Sequence, residues 1–132
     1  MKRLVSVILL VVMILTVCAT AFAADFSTPE LAKNAVKNSG NIKKTTGNGT
    51  SAKVSATMSK SKATFHFRVW KYTGWQASEG ARITNSGSAT LKTLRDGNDE
   101  PRLWKDVNYY LAATHSSQSK VNKASSSGSW NP

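Results

Sequence analysis

The spacing of hydrophobic positions changes twice along the chain. Residues 4–17 are apolar apart from two hydroxyl side chains, residues 29–40 carry a sparse apolar stripe, and from residue 51 apolar and polar side chains alternate. These patterns are typical of a leader or membrane segment, a helix and half-buried strands, respectively. They divide the chain into a leader, residues 1–24, an N-terminal segment, residues 25–50, and a β-domain, residues 51–132.

The leader has the three parts of a secretory signal peptide. Lys2-Arg3 gives a charged start, the apolar run follows, and Ala21-Phe22-Ala23 supplies the small-x-small pattern of a cleavage site. We expect signal peptidase to cut beside Ala23 and Ala24, so that the working protein is secreted and acts outside the cytoplasm.

Three alternatives to cleavage remain open, and a cytosolic protein with an unusual N-terminal helix is the weakest of them. An uncleaved membrane anchor needs roughly 20 apolar residues, whereas the second half of this leader is rich in Ala and Thr. A lipoprotein attached through Cys18 is the stronger rival, but lipoprotein processing needs a small residue where Val17 stands. Simple cleavage is therefore the expectation.

We predict that the secreted protein begins at Ala24 or Asp25. Intact-mass measurement and N-terminal sequencing of protein from the culture medium test this directly. A species that begins at Cys18 and carries acyl chains would instead identify a lipoprotein.

Residues 25–50 are predicted to form a short N-terminal helix or arm and a flexible linker. Residues 28–30, Thr-Pro-Glu, combine a capping hydroxyl, a proline at the first helical position and an acid in the first turn. A narrow apolar stripe over residues 31–36 and a glycine stop complete the helix pattern. Residues 39–50 are rich in Gly, Asn and Lys, which indicates the linker.

The alternation from residue 51 onward predicts an all-β domain. Residues 51–58 and 63–70 place every second side chain on one apolar face. Shorter strands are predicted at 81–84, 89–94, 103–107, 109–114 and 128–130, with turn signals at 85–87 and 95–98. This pattern is typical of a small antiparallel β-sandwich or barrel. We expect the core to contain Val54, Phe65, Phe67, Val69, Leu91, Val107, Tyr109 and Leu111.

Removal of the leader leaves a strongly basic chain. Of the 18 Lys and Arg residues, 16 remain against 7 Asp and Glu, which gives a formal charge of +9 over 108 of the 132 residues. The basic residues are scattered along the sequence, so they predict attraction to polyanions without selecting one. Anionic wall polymers, lipid headgroups and released nucleic acid are all candidates, and simple solubility is the alternative.

The sequence contains no motif for most kinds of catalysis or metal binding. The only cysteine, Cys18, leaves with the leader, so the mature chain contains no disulfide and no thiolate chemistry. His66 and His115 have no partner at ligand or triad spacing and are expected at the surface or a sheet rim. The acidic residues of 96–100 predict a hairpin turn rather than a calcium site. The sequence implies no cofactor, and we do not expect an enzyme.

The aromatic residues give a stronger indication of a binding site. Trp70 is out of phase with the apolar positions of its strand, so it lies on the opposite sheet face, and Trp75 follows a glycine in a predicted loop. Exposed aromatics beside cations stack on sugar rings or anchor at a lipid interface. The predicted binding site contains Arg68, Trp70, Lys71, Tyr72, Trp75 and Gln76. The alternative is that Trp70 packs against a second sheet.

The last third of the chain carries a family resemblance. It contains Trp104-Lys105-Asp106-Val107, then Asn108-Tyr109-Tyr110-Leu111, a Ser-rich loop and the ending Gly128-Ser129-Trp130-Asn131-Pro132. In this it resembles small, mostly uncharacterised secreted all-β proteins of Gram-positive bacteria. The resemblance implies two adjacent strands, a closing strand and an extracellular location. Bacteriocins of the lactococcin 972 type are similarly all-β, basic and aromatic, but their Trp and His patterns do not align here.

These observations predict an exported, non-catalytic protein that binds an anionic cell-wall polymer, a glycan or a membrane surface. A secreted cationic antimicrobial protein that acts on membranes is the first alternative. A small secreted hydrolase or enzyme inhibitor is the second.

Overall fold

The computed structural model describes residues 23–132, and the predicted signal peptide before Ala23, including Cys18, lies outside them. The described chain forms eleven strands and no helix. The strands are β1 (Ala24–Ser27), β2 (Leu31–Ala32), β3 (Val36–Asn38), β4 (Ile42–Lys43), β5 (Ala52–Met58), β6 (Thr64–Lys71), β7 (Ala81–Thr84), β8 (Ser86–Leu91), β9 (Asn108–His115), β10 (Lys123–Ala124) and β11 (Ser126–Asn131). Residues 23–132 accordingly contain no helix with the length and hydrophobicity needed to span a membrane.

Two antiparallel sheets form the body of the protein. The first sheet has the order β1-β11-β5-β8, and the second has the order β3-β9-β6-β7 with β4 also paired to β9. A two-stranded ribbon, β10-β2, accompanies them. The prediction of an all-β antiparallel fold is confirmed, and the sheets do not close into a barrel.

The two sheets share one hydrophobic core. In β5 and β6 every second side chain is buried, as the alternation predicts. The ring of Phe26 on β1 meets the ring of Phe67 on β6 edge to face, with centroids 5.6 Å apart. Seven of the eight predicted core residues are buried, and the eighth, Val107, packs against the core from a partly buried position. Trp130 is also buried there and closes the core from β11.

The predicted N-terminal helix is wrong. Its residues form β2 and β3, joined by a turn in which Asn34 has a φ of 67°. Asparagine is among the residues that best tolerate this left-handed conformation. A helix of about ten residues with a narrow apolar face is marginal by itself, whereas the neighbouring strands offer complete pairing. The hydroxyl of Thr28 accepts a hydrogen bond from the Ser126 backbone N–H instead of capping a helix.

The predicted linker also belongs to the second sheet. β4 pairs with the start of β9, and the Ser39 N–H donates to the Leu111 carbonyl. Lys44 follows β4 and is completely buried. Residues 39–50 therefore cover one edge of the sheet, so the prediction of a flexible linker is wrong.

Two later strand predictions need correction. The segment 103–107 is not a strand, because Leu103 is buried while the backbone around it bonds to the Tyr109 hydroxyl and to residues 44 and 49. The strand predicted at 89–94 starts earlier, at Ser86, because Asn85 reverses the chain with a φ of 66°. A single left-handed residue thus replaces the predicted three-residue turn.

Candidate functional site

The predicted site residues lie at and near the end of β6, where the strand leaves the core. Phe65, Phe67 and Val69 are buried on the inner face. Lys71 continues the same alternation but lies beyond the core, and the chain then reverses through Gly74, whose φ is 93°. The Lys71 N–H donates to the Trp75 carbonyl at 2.8 Å, which fixes the returning segment. The reversal therefore exposes the side chains that follow the strand.

One group of these residues lines a cleft, which we call the end cleft. Its lining comes from Lys71 and the returning segment 75–77, from the hairpin residues Asp96, Pro101 and Arg102, and from Trp104, Val107 and Tyr109. The cleft has a volume of about 160 Å³. Trp75 and Trp104 are 67% and 48% exposed, although both are large apolar side chains. The end cleft thus combines a small concave space with two accessible indoles.

Tyr109 holds the polar side of the end cleft together. It is buried, and its hydroxyl accepts the Trp104 backbone N–H at 2.8 Å and donates to the Arg102 carbonyl at 2.9 Å. Burial raises the pKa of the Tyr109 hydroxyl, while the hydrogen bond from Trp104 opposes the shift. One phenol therefore fixes the backbone of two neighbouring cleft residues.

Arg102 is a cation of the end cleft that a hydrogen bond holds in place. Its Nη1 donates to the Gln76 carbonyl at 3.1 Å, and its Nε is buried without a hydrogen-bond partner among the described residues. Gln76 is held in turn by a bond from its Nε2 to the Ser78 carbonyl. The guanidinium is thus oriented by the fold while part of its donor capacity is unused.

Asp96 is the carboxylate of the end cleft. Its Oδ1 accepts the N–H groups of Asn98 and Glu100 at 2.8 and 3.0 Å, so the carboxylate stabilises the hairpin turn. This agrees with the prediction of a turn at residues 96–100. Across residues 23–132, no group of three or more His, Asp or Glu side chains is placed to hold a metal ion.

The other predicted residues lie on a different surface. Arg68 and Trp70 face away from the core and line a hollow on the outer face of the second sheet, together with Tyr110, Ala112 and Thr114 of β9 and with Val36 and Asn38 of β3. Trp70 is not part of the core between the sheets, so the alternative of packing against a second sheet is wrong. Tyr72 is 58% exposed and lines neither the end cleft nor the hollow. The residues predicted to form one site are therefore divided between two neighbouring surfaces.

The two histidines have different environments. His66 lies on the outer face against Gly80, and its pKa is lowered by burial and by the nearby charges of Arg68 and Arg82. His115 is fully buried, stacks on the Phe65 ring at 5.1 Å, and places Nδ1 2.8 Å from the Leu31 carbonyl. The expected surface or rim position of His115 is wrong, because its strand continues the inward alternation to its last residue.

The site predicted from the sequence includes three of the ten residues that line the end cleft, Lys71, Trp75 and Gln76. Trp104 and Tyr109 are recognisable in the sequence as aromatics, but their patterns predict strands and core, and Arg102 carries no sequence signal of its own. The approach of the 95–102 hairpin to the β6 turn depends on long-range contacts, such as the Arg102 N–H bond to the Leu94 carbonyl and the Leu94 N–H bond to the Ala77 carbonyl.

Comparison with known proteins leaves the family open. No family model and no curated protein matches the sequence. A solved structure described as the crystal structure of PirA is similar over 85% of this chain and 94% of that chain, with a TM-score of 0.44 and 10% sequence identity. A likeness at this level carries no argument about family or function.

Proposed function

We propose that the protein is an exported, non-catalytic β-sandwich that binds a glycan of the cell envelope in its end cleft. The observation that carries the proposal is the pair of exposed indoles, Trp75 and Trp104, lining a cleft together with the oriented guanidinium of Arg102. The leader supports export, and the geometry of the end cleft supports glycan binding.

The indoles supply the apolar part of the recognition. Exposed clusters of large apolar side chains are uncommon on soluble proteins and mark interaction sites. An indole offers a flat and rigid face on which the C–H groups of a sugar ring pack with little loss of conformational entropy. Two indoles on one cleft therefore favour a ligand with planar apolar faces and a polar rim, as in a glycan.

The charges indicate an acidic substituent on that glycan. Arg102 and Lys71 present two cations to the end cleft, and Asp96 presents one carboxylate. A guanidinium binds carboxylate or phosphate oxygens in two parallel hydrogen bonds, and Asp96 is placed to accept hydrogen bonds from sugar hydroxyls. We therefore infer a ligand class of sugars that carry a carboxylate or a phosphate, as in anionic wall polymers.

The same groups favour binding over catalysis. Glycoside hydrolysis needs two carboxylates that flank the scissile bond. Among the residues that line the end cleft, Asp96 is the single carboxylate, and one of its oxygens is held by the hairpin turn. The arrangement fits recognition and retention of a ligand.

Membrane action is the second candidate, and one observation favours it. Tyr72 and Trp75 are both exposed beside Lys71 in the turn that follows β6. Tyrosine and tryptophan beside lysine are enriched at membrane interfaces. This feature would suit the secreted cationic antimicrobial protein that the sequence leaves as an alternative.

A paired binding assay separates the two candidates. Binding of the mature protein to isolated cell wall freed of phosphodiester polymers, and to anionic liposomes, is measured at 0.05 and 0.15 M salt, because the Debye length shrinks to about 8 Å at the higher value. We expect wall binding to persist at 0.15 M salt, and Trp75→Ala to weaken it about tenfold, which corresponds to about 1.4 kcal/mol. Since Trp75 is exposed, its loss should leave the fold intact.

Tyr72→Ala is the matched control. It removes a similarly exposed aromatic from the same turn but from outside the end cleft, so wall binding should stay within twofold. Equal wall affinity of wild type and Trp75→Ala would overturn the glycan proposal. Liposome leakage that both variants weaken would establish the membrane candidate instead.

A further inference from the structure

Five of the basic residues lie on the strands of the second sheet without any acidic neighbour on those strands. The five strands of the second sheet contain no Asp or Glu, although they contain Lys37, Lys43, Arg68, Lys71 and Arg82. The exposed side chains of the first sheet are mostly hydroxyls instead, because Asp25, Ser129, Ser55 and Ser88 form one row across it and Ser27, Ser127, Thr57 and Ser86 form the next. The two outer faces of the protein therefore differ in chemistry.

The strand register brings two of these charges, Arg68 and Arg82, together. Arg82 pairs with His66, and Arg68 lies two residues further along the same face of β6. Paired strands are about 4.8 Å apart and residues i and i+2 about 6.6 Å apart, so the two arginine Cα atoms lie roughly 8 Å from each other. The lowered pKa of His66 has burial as its main cause and both guanidiniums as further causes. The two arginines thus act on one patch of surface.

The hollow beside these arginines has a shape suited to a chain. Its volume is about 240 Å³, and Ala112 forms a low floor between the larger side chains of Trp70, Tyr110 and Val36. Trp70 and Tyr110 are half-buried neighbours across the strands, so they flank the hollow and do not project from it. A recessed surface of this kind accommodates a narrow chain better than a flat bilayer.

We propose that the outer face of the second sheet binds a polymer of polyols or sugars joined by phosphodiesters, as a second site distinct from the end cleft. Arg68 and Arg82 bind successive phosphates, and the uncharged unit that follows the Arg68 phosphate, on the side away from Arg82, lies in the hollow against Trp70 and Tyr110. Charge complementarity selects the phosphates, since no carboxylate lies on the five strands to repel them. The exposed guanidinium of Arg82 keeps free N–H groups although one of them bonds to Gln118.

Titration with purified poly(glycerol phosphate) tests this proposal in the folded mature protein. We expect the double variant Arg68→Gln/Arg82→Gln to lose at least tenfold in affinity at 0.05 M salt. The salt dependence of log Kd should also become shallower by about one to two, because two phosphate contacts are lost. Trp75→Ala should bind the polymer as wild type does, which separates this site from the end cleft.

The control variant removes the same charge from elsewhere. Lys53→Gln/Lys92→Gln lowers the net charge by two at exposed positions outside the second sheet, and we expect less than a twofold loss. If partly buried Arg68 is needed for folding, Arg82→Gln alone should still lose affinity, because Arg82 is exposed. Equal losses in both double variants, undetectable binding of the polymer, or tighter binding of oligodeoxythymidine or of phosphatidylglycerol vesicles would each overturn the proposal.

Discussion

Phe67→Ala is expected to lower the free energy of unfolding by about 3 to 5 kcal/mol. Phe67 is fully buried and touches both sheets, because its ring packs on Phe65 of its own strand at 6.3 Å and on Phe26 of β1 at 5.6 Å. Truncation therefore leaves a cavity at the junction of the sheets. The free energy of unfolding of a domain of this size is about 5 to 15 kcal/mol in total. The variant should therefore be only marginally stable.

Urea unfolding followed by tryptophan fluorescence measures this effect. Phe67→Leu is the matched variant, since it keeps most of the volume and should lose clearly less stability. Reducing agent should change neither protein, because residues 24–132 contain no cysteine. A loss below about 1 kcal/mol for Phe67→Ala would contradict a core shared by the two sheets.

The stability of the protein should rise by about 2 to 3 kcal/mol between pH 7 and pH 10 because of Lys44. Burial lowers the pKa of Lys44 from 10.5 to about 8. Its Nζ donates to the Thr46 hydroxyl and to the carbonyl and hydroxyl of Thr50, and neither ion pair of the described chain, Lys60–Glu30 or Arg95–Asp99, includes it. Below pH 8 the ammonium is charged in both states, so the cost of burying it is fully present. Above that value the folded state loses the proton first, and the cost disappears as the pH approaches 10.5.

Lys44→Met separates this effect from other titrations. Methionine fills a similar volume without a charge, and replacing a buried ion by an apolar side chain is often neutral or stabilising. We expect thermal unfolding to show that the variant is at least as stable as wild type at pH 7. The difference in stability between the two proteins should disappear as the pH approaches 10. Burial raises the pKa of Tyr109, so ionisation of unfolded Tyr109 opposes stability above pH 10, and the comparison is made below that value. A pH dependence that is the same in both proteins would show that Lys44 is not buried as a cation.

The parts of the fold that the sequence predicts are those with a long and strict alternation. β5 and β6 hold seven and eight residues with one apolar face, and their pattern excludes any other register. The short strands β2, β3 and β4 have no such pattern. They form because backbone groups at the edge of β9 and at β10 need partners, which local sequence does not reveal.

The sequence likewise predicts only part of the candidate site. Strand periodicity predicts that Trp70 lies on the outer face. Gly74 predicts the turn in which Trp75 is exposed. Arg102 and Trp104 reach the end cleft through contacts distant in sequence, including the Lys105 N–H bond to the Asn48 side chain. The juxtaposition of Arg68 and Arg82 arises likewise from strand pairing, since they become neighbours only when β6 and β7 pair.

The most direct test of glycan binding in the end cleft uses the indole N–H signals of the protein. Trp70, Trp75, Trp104 and Trp130 are the four tryptophans of the chain, so ¹⁵N-labelled mature protein gives four assignable indole signals. Trp70 reports on the outer-face hollow, Trp75 and Trp104 report on the end cleft, and Trp130 reports on the core. The titrant is soluble cell-wall glycan from which phosphodiester polymers have been removed. We predict saturable shifts of the Trp75 and Trp104 signals, while the Trp70 and Trp130 signals stay in place. Unchanged Trp75 and Trp104 signals at saturating glycan, or a shift of Trp70 alone, would contradict this prediction.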